Sequence, residues 1–285
     1  MPASDTTTLV STQWLTEHLD DPNLRILDAS WYLPNDPRDP NSEYTDGHIP
    51  GARFFDIDAI SDSASDLPHM LPPPEKFVSK CRALGIGDGH QIVVYHGAGL
   101  FSAARVWWMF RLMGKFDVAV LDGGLPKWRA EGRKITADTG KQGDRHLTVA
   151  PDLSLVRSMS DVSQASQTGS HEILDARSNG RFTGSEADPR PGMQSGHIPG
   201  SKNVPYNTLL NPDGTLKSPE DTVGAFRDAG VDLSKPVITT CGSGITAAIL
   251  FLALTRIGKT DLGLYDGSWS EWGRVGNPNI ATGDV

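Results

Sequence analysis

Cys241 and the residues that follow it offer the clearest chemistry in this sequence. The apolar, β-branched run 237–240 predicts a buried strand that ends at Cys241. Gly242 and Gly244 come next, and an apolar helical run then extends to Leu254. Glycines let successive backbone N–H groups turn inward, and the next helix adds its positive N-terminal end. Because such surroundings favour the thiolate form of cysteine, the pattern predicts a nucleophilic sulfur.

A buried structural thiol is the alternative interpretation of Cys241, since free cysteine is among the most buried residue types. The glycines on both sides of Ser243 favour the reactive loop, because glycine costs conformational entropy unless the backbone geometry requires it. Cys81 lies in a predicted helix and is interpreted as structural. Two cysteines are too few for a disulfide framework, and they lack CxxC or His/Cys metal spacing. We therefore predict no metal site and a reducing, cytoplasmic setting.

Arg181 and Arg190 offer a second functional element, in the loop region that follows a predicted strand. An arginine side chain presents a planar fork of donors that suits a carboxylate. Two of them could clamp a small anionic substrate near Cys241. The alternative is that both are solvated loop charges paired with Glu186 and Asp188, and their spacing does not separate the two interpretations.

Asp58 and His69 form a third candidate group. Asp58 ends an Asp-Ile-Asp run, and His69 follows within a stretch of apolar residues and prolines. A His–Asp pair can orient a proton relay. A structural histidine satisfied by its neighbours is the commoner outcome, so the residues alone leave both interpretations open.

An internal repeat organises the chain around these residues, because four short motifs recur in the same order at offsets of 144 to 149 residues. They are Ile-Leu-Asp-Ala from 26 and 173, Gly-His-Ile-Pro-Gly from 47 and 196, an apolar strand before a glycine-containing loop from 92 and 237, and Asp-Gly before a tryptophan from 122 and 266. Four ordered matches predict a duplicated domain. Both copies carry the histidine motif, so His48 and His197 are interpreted as structural.

Each copy alternates short apolar strands with amphipathic segments, which predicts an α/β fold with a parallel sheet and helices on both faces. The expected strands lie near Ile26, Val93, Val118, Ile173, Val237 and Leu264, and the expected helices span 74–84, 102–113, 218–229 and 246–256. We expect an N-terminal domain at 1–138, a polar linker at 139–153 and a catalytic domain at 154–285. His96 occupies the position in the first copy that Cys241 occupies in the second, so the first domain is expected to be catalytically silent.

The composition of the chain argues against two classes of binding partner, nucleic acids and membranes. The chain has 285 residues and a net charge of −9, which argues against a nucleic-acid partner. Residues 1–10 lack the basic and apolar regions of a secretion signal, and no apolar run reaches membrane-spanning length. We expect a protein with neither nucleic-acid nor membrane partners.

From about Val10 to Glu271 the chain resembles the 3-mercaptopyruvate sulfurtransferases, in the two-domain rhodanese superfamily. The most specific motif is Cys-Gly-Ser-Gly-Ile-Thr-Ala, which begins at Cys241. Other matching motifs are Gly180-Arg181-Phe182, Asp188-Pro189-Arg190, Asp56-Ile57-Asp58 and His69-Met70-Leu71-Pro72. Relatives that use thiosulfate typically carry an Arg-Lys pair after the cysteine, where this chain has Gly-Ser. One departure is His96, where relatives often carry an acidic residue.

This resemblance implies two tandem rhodanese-like domains. It also implies sulfur transfer from 3-mercaptopyruvate, through a persulfide on Cys241, to a thiol or cyanide, with release of pyruvate. Arg181 and Arg190 match the arginines that grip the keto acid, and Ser243, His69 and Asp58 match a proposed proton relay. The binding loop is completed by Gly242, Gly244, Ile245 and Thr246. The reaction needs no metal or organic cofactor, and the expected acceptor is thioredoxin or a small thiol.

Three alternatives are weighed against this assignment. A thiosulfate:cyanide sulfurtransferase shares the chemistry, but Gly242 and Ser243 replace the basic pair. A persulfide carrier or redox sensor would hand its sulfur to a partner protein, whereas the two arginines favour a small substrate. A cysteine phosphatase needs a longer loop that ends in arginine, and no arginine follows Cys241 until Arg256.

Overall fold

Two units make up the computed structural model, which describes residues 7–33, 36–97, 101–140 and 143–283, with the side chain of Phe101 left out. The first unit takes in the described residues of Met1–Ser63, Leu71–Asp152 and Asn211–Leu216. The second takes in those of Ala64–Met70, Leu153–Leu210 and Lys217–Val285. The domain boundaries expected at 138 and 154 stay a prediction. Two short segments are grouped with the opposite half of the chain: Ala64–Met70 with the second unit and Asn211–Leu216 with the first.

The first unit is built on a parallel five-stranded sheet with strand order β1-β5-β4-β2-β3. Its strands are β1 (Leu9–Val10), β2 (Leu24–Asp28), β3 (Ala52–Phe54), β4 (Gln91–Tyr95) and β5 (Val118–Leu121). Its helices are α1 (Thr12–His18), α2 (Pro40–Asp46), α3 (Ile57–Ile60), α4 (Pro74–Ala83), α5 (Phe101–Leu112) and α6 (Gly124–Ala130). Parallel strands require crossover connections, and these helices supply them.

Both faces of this first sheet are covered by apolar side chains. Ile26, Val93 and Leu121 lie in one cluster with Leu15 of α1 and Trp128 of α6. Successive strand residues point to opposite faces, so the neighbours of these residues face the other side, where α5 contacts β4 and β5. Burial on both faces explains why the strands read as continuous apolar runs.

The second unit repeats the arrangement, with strand order β6-β10-β9-β7-β8 and parallel pairing throughout. Its strands are β6 (Val156–Arg157), β7 (Glu172–Asp175), β8 (Lys202–Asn203), β9 (Val237–Thr240) and β10 (Leu262–Tyr265). Its helices are α7 (Met159–Thr168), α8 (Asn179–Thr183), α9 (Pro219–Asp228), α10 (Ala247–Arg256) and α11 (Ser268–Trp272), with 3-10 turns at Leu153–Leu155 and Tyr206–Leu209. The predicted α/β fold is confirmed in both units.

Apolar packing in the second unit follows the same plan as in the first. Ile173 and Ile238 of the sheet share a cluster with Val162 of α7 and with Trp269 and Trp272 of α11. On the other side, α10 contacts β9 and β10, and every residue of its span 247–254 is buried. A helix that is apolar all round is typical of a buried element. This rigid packing holds the β9–α10 connection in place.

The predicted strands and the four predicted helices are all present, with helix ends within one residue of expectation. The sequence patterns missed the two-residue strands β1, β6 and β8, which are too short to show alternation. They also missed the three-residue strand β3 and seven helices, which are α1, α2, α3, α6, α7, α8 and α11. Within the described segments, no helix is both long enough and apolar enough to cross a membrane.

His48 and His197 lie in the two copies of the Gly-His-Ile-Pro-Gly motif, and both are buried. The ring of His48 stacks on Tyr44 and its Nδ1 lies 2.8 Å from the Tyr44 carbonyl oxygen. The ring of His197 stacks on Phe182, whose carbonyl oxygen lies 2.9 Å from His197 Nδ1. These equivalent contacts agree with a structural role for both histidines.

Candidate active site

Cys241 lies directly after β9, at the carboxyl end of the second sheet, with only 2% of its surface exposed. In open α/β sheets this edge is where ligands bind. The Cys241 carbonyl accepts a hydrogen bond from the backbone N–H of Trp269 at 3.0 Å. The Gly242 carbonyl accepts from the backbone N–H and the hydroxyl of Ser270, at 2.9 and 2.7 Å. Residues of α11 therefore hold the first two carbonyls of the loop.

The backbone N–H groups of the loop, unlike its first two carbonyls, are mostly unpaired within the described residues. In the part of the chain described here, the N–H groups of Gly242, Ser243, Ile245 and Thr246 donate to no protein acceptor. Gly244 has a φ of +77°, a left-handed conformation that favours glycine and lets the chain turn into α10. Together with the positive end of the ten-residue helix α10, these donors favour negative charge beside Cys241.

The N–H of Cys241 itself is tied down. It donates to the hydroxyl oxygen of Ser268 at 3.2 Å, and that hydroxyl donates to the carbonyl oxygen of Tyr265 at 2.7 Å. Ser268 adopts a φ of +49°, which is uncommon for a residue other than glycine. Its hydrogen bonds join the ends of β9 and β10 and fix the backbone that carries the thiol.

Arg181 and Arg190 both point toward this loop from α8 and the segment after it. Arg190 Nη2 donates to the Ser243 hydroxyl oxygen at 3.1 Å. A Cβ placed on Gly242 would lie 2.9 Å from Arg190 Nη1 and 3.1 Å from Arg181 Nη2. The two guanidinium groups thus stand against the residue that follows Cys241, and the absence of a side chain at Gly242 makes room for them.

Asp188 joins the two arginines. Its carboxylate accepts from Arg181 Nη2 at 2.5 Å, and it lies 3.5 Å from Arg190 Nη1. The Asp188 side chain is 1% exposed, against 19% and 21% for the arginines. The alternative interpretation paired the two arginines with Glu186 and Asp188. Asp188 does pair with them, whereas Glu186 accepts from the hydroxyl of Ser178 at 3.0 Å. This ion pairing does not leave the arginines solvated and remote, because they also contact the loop.

Arg177, which belongs to the same arginine-containing segment, has another role. Its guanidinium forms a buried pair with Asp175 at 2.7 Å and stacks 4.2 Å from the Trp269 ring. It also donates to the Gly196 carbonyl at 2.7 Å. Arg177 therefore ties β7 to the interior of the second unit, and its donors are used within the fold.

The remaining predicted residues fall in different units. His69 lies in the segment Ala64–Met70 of the second unit and has a φ of +61°. Asp58 lies in α3 of the first unit, where its carboxylate accepts from the indole N–H of Trp31 at 3.0 Å. The relay from Asp58 through His69 to Ser243 stays a prediction.

In the first unit, His96 follows β4 as Cys241 follows β9. It is 1% exposed, and burial lowers the pKa of its imidazole from 6.5 to about 3. Neither ring nitrogen has a hydrogen-bond partner in the described part of the chain. Residues 98–100 of the matching glycine-containing loop lie outside the described residues. At neutral pH this position carries an uncharged ring.

Among the described residues no cluster of three or more His, Cys, Asp or Glu side chains has a metal-binding arrangement. Both cysteines are free and buried. Burial raises the pKa of the Cys81 thiol well above its ordinary value, which suppresses its reactivity. Sequence reasoning did not identify Ser268 and Ser270 as supports of the loop, although the repeated Asp-Gly motif that precedes them marked the region.

Comparison with known proteins gives one consistent family. The rhodanese-like domain family matches residues 11–131 and 158–274. The chain is 42% identical to human 3-mercaptopyruvate sulfurtransferase, over 93% of this chain and 91% of that protein. It is 44% identical to mitochondrial thiosulfate/3-mercaptopyruvate sulfurtransferase 1 of Arabidopsis thaliana, over 93% of this chain and 75% of that one. The crystal structure of SseA from Escherichia coli, described as a 3-mercaptopyruvate sulfotransferase with the rhodanese fold, superposes with a TM-score of 0.85 at 41% identity, covering 93% and 100% of the two chains.

Proposed function

The chain belongs to the rhodanese-like family, and from that premise we propose that it moves sulfur from 3-mercaptopyruvate through Cys241 to a thiol or cyanide acceptor. The observation that carries this proposal is the placement of Arg181 and Arg190 against the residue after Cys241. Two guanidinium groups suit the carboxylate and carbonyl oxygens of a small keto acid. The names of the human and Escherichia coli relatives at 42% identity agree with this substrate.

In the first half of the reaction, the Cys241 thiolate attacks the sulfur of the substrate. A sulfur–sulfur bond forms, the carbon–sulfur bond breaks, and its electron pair passes to the carbon that becomes the enolate of pyruvate. Arg181 and Arg190 stabilise the negative charge on the enolate oxygen and the carboxylate. A proton then reaches the enolate carbon, and Ser243, His69 and Asp58 are the groups proposed to deliver it.

In the second half, the terminal sulfur leaves the persulfide. The N–H groups of Gly242, Ser243, Ile245 and Thr246, which have no acceptor among the described residues, suit a negatively charged sulfur, and Gly244 shapes the turn. A thiolate or cyanide attacks this outer sulfur, and the electron pair of the sulfur–sulfur bond returns to Cys241. The cycle regenerates the thiolate without a metal or organic cofactor.

We expect thioredoxin or a small thiol as the acceptor, in a reducing compartment such as the cytoplasm. The two free cysteines are consistent with reducing conditions. One relative is named mitochondrial, so a compartment assay on the natural host is the direct measurement of location.

Thiosulfate is the second candidate donor, because the names of several relatives include it. Gly242 and Ser243 occupy the positions where thiosulfate-using enzymes of this family typically carry a basic pair. The chain therefore offers fewer charges for a dianion at the loop itself.

The test is a side-by-side assay of the two donors, with Cys241→Ser as the blank and Cys81→Ala as the matched control. We expect pyruvate release from 3-mercaptopyruvate, a mass gain of one sulfur atom on Cys241, and loss of both in Cys241→Ser. Cys81→Ala should retain activity, since its thiol is buried and has a raised pKa. Undiminished pyruvate release by Cys241→Ser would disprove the mechanism, and preference for thiosulfate would disprove the assigned donor.

A further inference from the structure

Asp188 is more deeply buried than the arginines it contacts, and both of its carboxylate oxygens are used. Oδ2 accepts from Arg181 Nη2 at 2.5 Å. Oδ1 accepts from the backbone N–H of Arg190 at 3.0 Å and lies 3.5 Å from Arg190 Nη1. With 1% of its side chain exposed, Asp188 interacts with these partners through little intervening water. Charge interactions are strong in such a setting.

A continuous set of contacts leads from Asp188 to the catalytic loop. Arg190 uses Nη1 toward Asp188 and Nη2 toward the Ser243 hydroxyl, at 3.1 Å. Arg181 uses Nη2 toward Asp188, while its buried Nε has no hydrogen-bond partner within the described residues. Asp188 therefore holds one edge of each guanidinium and leaves other donors for a ligand.

The formal charge of this group follows directly. Two guanidinium groups contribute +2 and the Asp188 carboxylate contributes −1, so the cluster carries +1. Glu186, the other acidic residue of the segment, is exposed and accepts from Ser178. Solvent screens an exposed carboxylate, so its effect on the cluster is small.

We propose that Asp188 sets the charge of the arginine pair and thereby selects a monoanionic sulfur donor over a dianionic one. This inference rests on the proposed function, since it concerns the donor that reaches Cys241. A keto acid in its thiol form carries one negative charge, which a +1 cluster neutralises. A dianion such as thiosulfate would keep a net negative charge at the site. Asp188 is on this view a specificity-determining residue that acts through Arg181 and Arg190, without itself touching the donor.

Asp188→Asn tests this, because asparagine keeps the size of the side chain and removes its charge, although it also replaces one of the two accepting oxygens with an NH2 donor. We expect the ratio of kcat/KM for thiosulfate to kcat/KM for 3-mercaptopyruvate to rise about tenfold or more. Asp188→Glu restores the charge and should bring this ratio back toward that of the unmodified protein. The matched control is Asp232→Asn, which removes an exposed carboxylate of the same unit and should leave the ratio unchanged.

Binding measurements separate this inference from the proposed function. Calorimetry with pyruvate as the monoanion and thiosulfate as the dianion is carried out on Cys241→Ser, with and without Asp188→Asn. We expect the added substitution to shift the affinity ratio toward thiosulfate by about tenfold. An inactive unmodified protein would overturn the proposed function alone, because the binding ratio still measures charge selection. Equal losses for both donors and both ligands would show that Asp188 only supports the fold, and the inference would be wrong.

Discussion

At the scale of single residues, the site depends as much on a missing side chain as on the groups present. Gly242 follows Cys241, and its open α-carbon faces the ends of Arg181 and Arg190. Any side chain here would enter the space that the guanidinium groups occupy. These groups are the far ends of flexible side chains, so they can move at little cost to the fold. A substitution at Gly242 should therefore move the two arginine side chains and leave the stability of the protein nearly unchanged.

Gly242→Ala is expected to lower kcat/KM for 3-mercaptopyruvate by about tenfold, equivalent to about 1.4 kcal/mol, because its methyl group would sit 2.9 Å from Arg190 Nη1. The thermal midpoint should change little. Steady-state kinetics and a thermal melt measure the two effects. Gly224→Ala is the control, since Gly224 lies in α9 and a Cβ there meets nothing within 4 Å. Unchanged kinetics in Gly242→Ala would mean that the arginines do not act from these positions.

At the scale of elements, the thiol is carried by β9 and α10, but its loop is held by α11. The Ser268 hydroxyl oxygen accepts a hydrogen bond from the N–H of Cys241, and the Ser270 hydroxyl donates one to the carbonyl of Gly242. The two serines differ in one respect. The Gly242 carbonyl also accepts from the Ser270 backbone N–H, whereas the Cys241 N–H has Ser268 as its acceptor. Their removal should have unequal consequences.

Ser268→Ala should lower the free energy of unfolding by about 1–3 kcal/mol, because it leaves a buried N–H without an acceptor. Ser270→Ala should cost about 0.5–1.5 kcal/mol, since the carbonyl keeps its backbone donor. Urea denaturation of the two variants measures both values. An equal or reversed order would indicate that the hydroxyl of Ser268 does not secure the loop.

At the scale of the whole molecule, one fold occurs twice and the two copies diverge at equivalent positions. Both sheets have the same strand order, and the loop after the equivalent strand begins with His96 in one copy and Cys241 in the other. The first copy has no counterpart to Arg181 in its sequence. His96 is instead a buried, uncharged ring. We therefore expect the stability of the protein to depend on pH through a residue outside the proposed site.

His96 should make the protein less stable as the pH falls from about 6.5 to about 3. In that range the unfolded chain binds a proton at this histidine and the native state does not, so the free energy of unfolding decreases by at most about 1.4 kcal/mol per pH unit. His96→Asn should flatten this slope in urea titrations between pH 4 and pH 6.5, the latter being the ordinary pKa of histidine. Replacing the exposed His146 by asparagine is the control. Equal slopes in the unmodified protein and His96→Asn would contradict the prediction.

The fold class, the duplication and the strand–loop–helix around Cys241 could all be predicted from the sequence. These features depend on local patterns: apolar runs, glycine positions and repeated motifs. Edge strands of two residues, such as β8, could not be predicted, because so short a segment shows no periodic alternation of apolar and polar residues.

The way in which distant charged side chains meet could not be predicted without the three-dimensional structure. Spacing left Arg181 and Arg190 as either a clamp or solvated charges, since 50 or more residues separate them from the loop at Cys241. The parallel sheet brings the ends of β7 and β9 side by side, and with them the arginine segment and the loop. Asp188 then proves to be the partner of both arginines, and Ser268 the support of Cys241. Such contacts arise from packing between segments far apart in sequence, which no local pattern encodes.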